Sequence, residues 1–321
     1  MVEARRNGIV EARHRVHAVA VRDGAVVAEA GDAGLVAYLR SASKPIQALP
    51  LARARDDLDD RDLAIAAASH RATDDQIAAV RALLAKAPAS EDELELGPQA
   101  GRPPRSSPGE GHDPGLAPGV SAGKGLRPPD LIYNNCSGKH AGMLALCRAR
   151  GWDSHGYRLA GHPVQDACRD AHAEAADAGP EELPTAVDGC GIVTFALPLE
   201  RMAFAYSRFE LLPAGARIAD AMRAHPDLVG GPDGADFHLM RDASGWFAKG
   251  GAEGLLCAGG PDASGVAIGV ALKSEDGATR PLGPALAAFL APFGVELSAL
   301  REPPILNTLG ERVGELAVTT S

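Results

Sequence analysis

Hydrophobic positions near both ends of the chain follow the two-residue period of β-strands. Residues 16–32, VHAVAVRDGAVVAEAGD, alternate in character around Asp23-Gly24, a pair typical of a two-residue hairpin turn. Near the other end, EGLLCAGGP (253–261) and SGVAIGVALKSEDG (264–277) are two strand candidates separated by turn residues. The pattern predicts a β-hairpin at the start and two strands close to the end.

The middle of the chain has helical spacing instead. IAAVRALLAKA follows Thr73, and Gln76 stands three residues after that threonine, as in a capping box. HAGMLALCRARG (140–151) ends at a glycine, and ARIADAMRAH (216–225) ends before a proline. Strands at both ends with helices between them predict an α+β fold, in which one mixed sheet closed by the two termini lies beside a helical lobe.

Residues 97–130 interrupt this order with a sequence rich in Gly, Pro and Ser. Such a composition is normal for a linker or a mobile surface loop, and it also suits a cover over an active site. Composition does not decide between these interpretations. There is no internal repeat, and we expect residues 1–321 to form a single domain.

Composition and charge narrow the possible functions. Hydrophobic residues make up 45% of the chain, enough for a large core, and the formal net charge is −10. An acidic protein does not favour nucleic acid or an anionic membrane as its partner, so a small-molecule substrate is expected. No apolar run approaches the roughly 20 residues of a membrane helix, and the N-terminus lacks the apolar region of a secretory signal.

Cysteine and lysine usage adds two expectations. An odd number of scattered cysteines favours reduced thiols and a cytoplasmic location over a disulfide framework. The cysteines are Cys136, Cys147, Cys168, Cys190 and Cys257. Only six of the 32 basic residues are lysines. Because an ammonium can lose its proton and a guanidinium cannot, lysine is a weak marker of chemistry in this chain.

The first lysine belongs to RSASKPIQALPL, which starts at Arg40. In Ser41-x-x-Lys44 the hydroxyl and the amine share a face if the segment is helical, and a buried lysine of lowered pKa can then activate the serine. This spacing is typical of serine acyl-transfer enzymes. Pro45 fits the first turn of a helix but disfavours helical angles at Lys44, so the motif by itself favours an ordinary helix start.

Two further stretches offer polar groups. LAIAAASH ends at Ser69 and His70, where a buried element can deliver side chains to a cleft; a turn serine with a surface histidine fits equally well. WFAKGG places Lys249 before two glycines, where the backbone can approach a ligand closely. A solvated lysine in a turn is the simpler interpretation of that stretch.

NNCSGKHAGML, residues 134–144, crowds reactive groups into the start of a predicted helix. Cys136 would lie at the helix N-terminus, where the helix dipole favours a thiolate, and His140 follows on the same face. In DGCG, Asp188 and Cys190 share a tight loop. If the two loops meet, the two cysteines and one nitrogen, by ligand chemistry that of His140, would suit Zn²⁺. Buried structural thiols are the alternative.

The order of these motifs is more specific than any one of them. SASKPIQALPL, ASH, GPQ, NNCSGKHAGML, DGCGIVTFALPL and KGGAEG follow one another, and with them the chain resembles the class 3 L-asparaginases, the Rhizobium etli type, from about residue 10 to its end. NNCSGKHAGML and DGCG are the most specific of the motifs. The resemblance implies a fold like that of serine β-lactamases and glutaminases, L-asparaginase activity and a homodimer.

Residue by residue, the resemblance implies two Ser-Lys pairs, a zinc site and a substrate-binding set. The catalytic pairs are Ser41 with Lys44 and Ser69 with Lys249, the zinc ligands are Cys136, Lys139 and Cys190, and the substrate-binding residues are Arg40, Asp188 and His140. In this scheme a neutral lysine amine, rather than the histidine, completes the zinc site. The Zn²⁺ would tune substrate affinity, because the Ser-Lys pairs already supply a nucleophile.

One loop departs from the family pattern. After Ser-His the family continues with Gly-Glu and then a His, whereas residues 71–76 of this chain read Arg-Ala-Thr-Asp-Asp-Gln. A related amide such as glutamine is therefore a rival substrate, and a zinc- or amino-acid-binding protein without turnover is the rival from another class. The retained Ser and Lys residues favour an enzyme that converts L-asparagine to L-aspartate and ammonia. The tighter spacing of Ser41 to a lysine favours it as the nucleophile, with Ser69 relaying a proton, and the exchange of these two roles is the alternative.

Overall fold

The computed structural model describes residues 1–101 and 127–319. The strands in this part of the chain are β1 (Val2–Arg6), β2 (Ile9–His14), β3 (Val16–Arg22), β4 (Ala25–Ala30), β5 (Val36–Tyr38), β6 (Gln99–Gly101), β7 (Arg127–Asp130), β8 (Thr185–Val187), β9 (Val193–Pro198), β10 (Phe247–Gly251), β11 (Leu255–Pro261), β12 (Ala267–Ser274), β13 (Pro304–Leu306) and β14 (Arg312–Val318). Its α-helices are α1 (Lys44–Ala54), α2 (Asp60–Ala66), α3 (Asp74–Lys86), α4 (Ser137–Arg150), α5 (Pro163–Ala176), α6 (Leu199–Ser207), α7 (Gly215–Ala224), α8 (Pro226–Val229), α9 (Ala235–Asp242), α10 (Leu282–Leu290) and α11 (Ser298–Arg301). The α+β prediction is confirmed.

Two antiparallel sheets make up most of the β structure. The larger has the strand order β10-β11-β12-β3-β4, and the other has the order β13-β14-β1-β2. The predicted hairpin is β3–β4, and its turn residues Asp23 and Gly24 have φ values of 50° and 79°, as a type I′ turn requires. The two strands predicted near the end are β11 and β12, and β12 pairs with β3.

The expectation of one mixed sheet was wrong. Every strand pair in the described part of the chain is antiparallel, and the N-terminal strands divide between the two sheets. Short turns join β3 to β4 and β11 to β12, and such turns permit only antiparallel pairing, because a parallel pair needs a long crossover. Only Arg15 separates β2 from β3, so the chain changes sheets at one residue. The termini do meet, since β1 pairs with β14.

The predicted helices form at the expected places. α3 begins after Thr73, whose hydroxyl accepts the Gln76 N–H while the Gln76 side chain accepts the Thr73 N–H. α4 has Cys136 as its N-cap and ends before Gly151, and α7 ends at Ala224. At the start of α3 this exchange supplies partners for backbone N–H groups that a helix leaves unpaired, and Gly151 ends α4 in the left-handed conformation.

The helices form a lobe beside the larger sheet. α1 packs against α2, α4, α5 and α7, while α6 covers β3, β11 and β12. The turn before α1, residues 40–43, contacts β10 and so joins the lobe to the sheet. Buried apolar side chains of the described residues make one continuous cluster. None of the described helices is long and apolar enough to cross a membrane.

The segment expected to be a linker, a mobile loop or a cover, residues 97–130, is described only at its two ends. β6 and β7 lie at those ends and pair antiparallel. Residues 102–126 lie outside the described part of the chain, and the interpretations of that stretch stay predictions.

Candidate active site

A cleft of about 730 Å³ opens where α9, β10 and the segment after α2 meet. Its wall carries Ser69 and Lys249, two of the predicted catalytic residues, together with Arg71, Asn135 and Asp236. Residues of α10 and α11 also line the cleft. A concave, partly apolar space with a few converging polar groups is the usual form of a small-molecule site.

Lys44 is the first residue of α1, and its side chain reaches Ser69 in the wall of this cleft. Its side chain is completely buried. The Nζ atom lies 2.6 Å from the Ala68 carbonyl oxygen, 2.9 Å from the Ser69 Oγ and 3.5 Å from the Asn135 carbonyl oxygen. The amine therefore contacts a hydroxyl that opens to the cleft.

Ser41 lies in the short 3₁₀ turn Arg40–Ser43, which leads directly into α1 at Lys44. The helix starts only at the lysine, which precedes a proline, and the Lys44 N–H bonds back to the Ser41 carbonyl oxygen. In the described part of the chain no hydrogen bond joins the Ser41 hydroxyl to Lys44, or Lys249 to Ser69. The lysine of the first motif thus contacts the serine of the second.

The surroundings of Lys44 favour its neutral form. Burial lowers the pKa of Lys44 to about 8; the charge at Cys136 opposes this shift, and the charges of Lys139 and Lys249 add to it. A lysine with such a pKa is neutral in a useful fraction of molecules near neutral pH, and a neutral amine can accept a proton.

Lys249 is buried in β10 beside a fixed carboxylate. Its Nζ atom lies 2.9 Å from the Gly250 carbonyl oxygen and 3.7 Å from Asp236 Oδ2. The Asp236 carboxylate also accepts the Gly250 N–H and the Phe237 N–H, which hold it in place. Burial lowers the pKa of Lys249, and the Asp236 charge opposes that shift.

Cys136, Lys139 and Cys190 come together at the start of α4. Lys139 lies one helical turn after the Cys136 N-cap, and its Nζ atom donates to the Cys190 Sγ at 3.0 Å. Gly138 makes this position possible, because a Cβ there would lie 2.2 Å from the Ile65 carbonyl oxygen. Only a glycine lets α4 approach the end of α2 so closely.

The charges of these three groups depend on one another. A hydrogen bond from Cys190 is the main cause that holds the pKa of Cys136 well below its usual value, and the same bond raises the pKa of Cys190. Burial would lower the pKa of Lys139, but the charges of the two cysteines raise it. The described residues contain no group of three or more His, Cys, Asp and Glu side chains suited to a metal ion. A zinc site here would therefore depend on the lysine.

Arg40 and Asp188 form an ion pair next to the thiols. The Arg40 Nε donates to Asp188 Oδ1, which also accepts the Gly189 N–H at 2.7 Å. Burial would raise the pKa of Asp188, but the Lys139 charge and the Arg40 hydrogen bond outweigh it and lower the pKa. Arg40 has a φ of 49°, which is uncommon for a residue other than glycine, and this strained backbone directly precedes Ser41.

Two histidines next to the site are buried, and each forms a hydrogen bond with a buried hydroxyl. His140 Nδ1 lies 2.7 Å from the Tyr157 hydroxyl, and His70 Nε2 lies 2.7 Å from the Ser137 hydroxyl, so His70 is not the surface residue of the simpler interpretation. Burial lowers the pKa of His70 to about 3 and holds that of His140 well below its usual value. The nitrogen that contacts a cysteine sulfur belongs to Lys139.

Comparison with known families agrees with the motifs. A family model described as L-asparaginase II matches residues 2–318. The chain belongs to this L-asparaginase family. It is of the class 3, Rhizobium etli type, and it is an amidohydrolase of the L-asparaginase kind that acts on a small-molecule substrate. No curated protein gives a significant match.

Some residues of this L-asparaginase cleft were missed in the sequence. Asp236 was not considered, although the glycine-rich run 230–234 just before α9 signals close backbone packing. Asn135 belongs to a recognised motif, but its role here comes from its carbonyl oxygen, which no residue pattern reveals. Arg71 was noted only as part of a loop that departs from the family.

Proposed function

We propose that this L-asparaginase hydrolyses L-asparagine through a serine that Lys44 activates. The observation that supports this is the 2.9 Å contact between Lys44 Nζ and Ser69 Oγ at the wall of the cleft. A neutral amine has two N–H bonds and one lone pair. The carbonyl oxygens of Ala68 and Asn135 can accept the two N–H bonds, which leaves the lone pair for the Ser69 hydroxyl proton.

In the proposed reaction Lys44 takes the proton of Ser69 as Oγ bonds to the side-chain amide carbon of asparagine. The tetrahedral intermediate collapses when the C–N bond breaks, and the proton leaves with the nitrogen as ammonia. Water then attacks the acyl-enzyme and Lys44 accepts its proton. Lys44 returns this proton to Ser69 Oγ as the bond between Oγ and the acyl carbon breaks, which releases L-aspartate and free Ser69. Lys249 lines the same wall of the cleft as Ser69. Its buried ammonium would stabilise the negative charge that develops on the amide oxygen.

Ser41 is the second candidate nucleophile. The observation in its favour is the strained backbone of Arg40, since strain often lies next to reactive groups. Its hydroxyl also makes no hydrogen bond within residues 1–101 and 127–319. In this alternative Ser69 would pass the proton between Lys44 and the leaving group.

Ammonia release from L-asparagine by wild type, Ser69→Ala and Ser41→Ala tests the proposal. We expect Ser69→Ala to lose on the order of 10³-fold or more in kcat while Ser41→Ala keeps most of it. The opposite pattern would assign the nucleophile to Ser41. Release from L-glutamine but not from L-asparagine would change the substrate, and a thermal shift with asparagine but no ammonia would indicate a binding protein.

Zinc is the second part of the proposal. The donor set fits, because two sulfurs and an amine converge in a partly charged, buried position with Lys139 Nζ 3.0 Å from the Cys190 sulfur. When bound, Zn²⁺ would supply Lewis acidity and tune substrate affinity. Cys136, Lys139 and Cys190 would hold it in their deprotonated forms, so binding would release protons. Arg40, Asp188 and His140 would form the substrate-binding set around it.

The proposal also includes the fold resemblance, the single domain, the cytoplasmic location and the homodimer expected from the sequence. A five-stranded antiparallel sheet beside a helical lobe is compatible with a fold like that of serine β-lactamases and glutaminases. One continuous apolar cluster supports a single domain. The five cysteines are free, which suits a cytoplasmic protein, and we expect a homodimer.

A further inference from the structure

Arg71 lies in the loop that departs from the family pattern. It follows Ser69 by two residues and lines the same cleft. Within this loop, Arg71 places a long cationic side chain at the wall of the cleft. Because Arg71 lies beside a candidate nucleophile, its side chain can contact a substrate that is bound at Ser69.

The side chain of Arg71 is anchored but keeps open donors. The Arg71 backbone N–H donates to the Gln76 Oε1 at 2.8 Å, and the side-chain Nε donates to the Gly230 carbonyl oxygen at 3.0 Å. Gly231 leaves room for the stem, since a Cβ there would lie 3.2 Å from the Arg71 Cγ. In residues 1–101 and 127–319 the terminal nitrogens Nη1 and Nη2 donate no hydrogen bond. An ordered guanidinium loses little further entropy when it binds a ligand.

The neighbouring charges of the cleft already have partners. Lys249 donates to a carbonyl oxygen and lies near Asp236, and Asp236 accepts two backbone N–H groups. Arg280 lines the cleft too, but it is exposed and donates its Nε to His14. Arg71 therefore combines three properties: partial burial, anchoring and proximity to Ser69.

We propose that Arg71 binds the α-carboxylate of the substrate while the side-chain amide of that substrate meets Ser69. The planar guanidinium matches a carboxylate with two parallel hydrogen bonds, which a single ammonium cannot do. This makes Arg71 a specificity-determining residue that selects side-chain amides of free amino acids over amides without a nearby carboxylate. The inference rests on the proposed function, because it assumes that the amide is attacked at this wall of the cleft.

The test compares two amides in wild type and Arg71→Met. The first is L-asparagine, and the second is 3-aminopropanamide, which is asparagine without its α-carboxylate. For L-asparagine we expect the KM of Arg71→Met to rise roughly 10- to 100-fold, the loss of a charge-assisted hydrogen-bonded pair, with kcat nearly unchanged. For 3-aminopropanamide the two proteins should have the same kcat/KM.

Two further variants separate recognition from structure. Arg71→Lys keeps the charge without the fork and should recover part of the affinity for L-asparagine. Arg81→Met removes an exposed arginine that pairs with Glu91 outside the cleft and should change kcat/KM for neither substrate by more than about twofold. An equal loss of kcat/KM for both amides in Arg71→Met, or no change for L-asparagine, would overturn the proposal.

A binding measurement keeps this outcome distinct from that of the proposed function. Calorimetric titration with L-aspartate, which carries the same α-carboxylate, needs no turnover. If wild type releases no ammonia from L-asparagine, the proposed function fails; L-aspartate binding that Arg71→Met weakens roughly tenfold or more would still support the role of Arg71. Equal L-aspartate affinity in the two proteins would refute that role.

Discussion

Lys44 and Lys139 are both buried, with 0% and 3% of their surface exposed, yet their pKa values move in opposite directions. Burial lowers the pKa of Lys44 to about 8, because its partners are carbonyl oxygens and a hydroxyl. Burial also acts on Lys139, but the charges of Cys136 and Cys190 outweigh it and raise the pKa.

The comparison teaches that burial alone does not define the role of a lysine. The side of the site that faces the cleft, around Lys44 and Ser69, favours a neutral amine that can accept a proton. The side built from thiols, around Lys139, favours a charged amine, whose proton the proposed zinc ion would have to displace. Neighbours within hydrogen-bond distance therefore decide which lysine is suited to accept a proton and which is a partner of sulfur.

Replacing the proposed base should give the largest effect. Lys44→Met keeps the length of the side chain but removes the lone pair, and we expect kcat for L-asparagine to fall roughly 10²- to 10⁴-fold. Lys86→Met is the control, because Lys86 is paired with Asp59 and Asp62 away from the cleft. Steady-state kinetics with a thermal unfolding curve for each variant would check this. Full activity in a folded Lys44→Met protein would rule out Lys44 as the base.

Removing a cysteine sulfur should weaken zinc binding without changing Lys44, the proposed base. Cys190→Ala should reduce bound zinc from about one ion per chain to a small fraction, because only two ligands remain. Cys257→Ala, which removes a buried thiol in β11, should keep the zinc. Metal analysis after dialysis measures both. Equal zinc content in the two variants would contradict the proposed Cys136–Lys139–Cys190 site.

The pH dependence of kcat/KM should reflect the protonation of Lys44. Below its pKa of about 8 Lys44 is protonated and cannot accept the serine proton. In metal-free enzyme kcat/KM for L-asparagine should therefore rise about tenfold per pH unit below that value and level off above it. A profile that stays flat through this range would show that another group sets the rate.

The smallest effect is expected at the carboxylate beside Lys249. Asp236→Asn removes the charge 3.7 Å from the Lys249 ammonium while preserving most of the side-chain shape. We expect kcat to fall by about 3- to 10-fold, less than for Lys44→Met, since Asp236 acts through the lysine. Asp242→Asn, at the exposed end of the same helix, should leave kcat unchanged. Similar kcat values for the two variants would show that the Asp236 charge plays no part in catalysis.

Local features of this protein were predictable from the amino-acid sequence. The Asp23-Gly24 hairpin, the capping box at Thr73 and the start of α4 after Cys136 all depend on residues a few positions apart, so a short stretch carries the whole signal. The order of the motifs likewise indicated the family, which the match over residues 2–318 confirms.

Only the tertiary structure decided which groups meet. Lys44 and Ser69 are 25 residues apart, and Lys139 and Cys190 are 51 apart. Their contacts depend on how α1, α2 and α4 pack, down to the single glycine that lets α4 approach α2. The S-x-x-K spacing places Ser41 one turn before Lys44, but the Lys44 amine bonds to Ser69, because sequence spacing describes neighbours along an element and not across a packed interface.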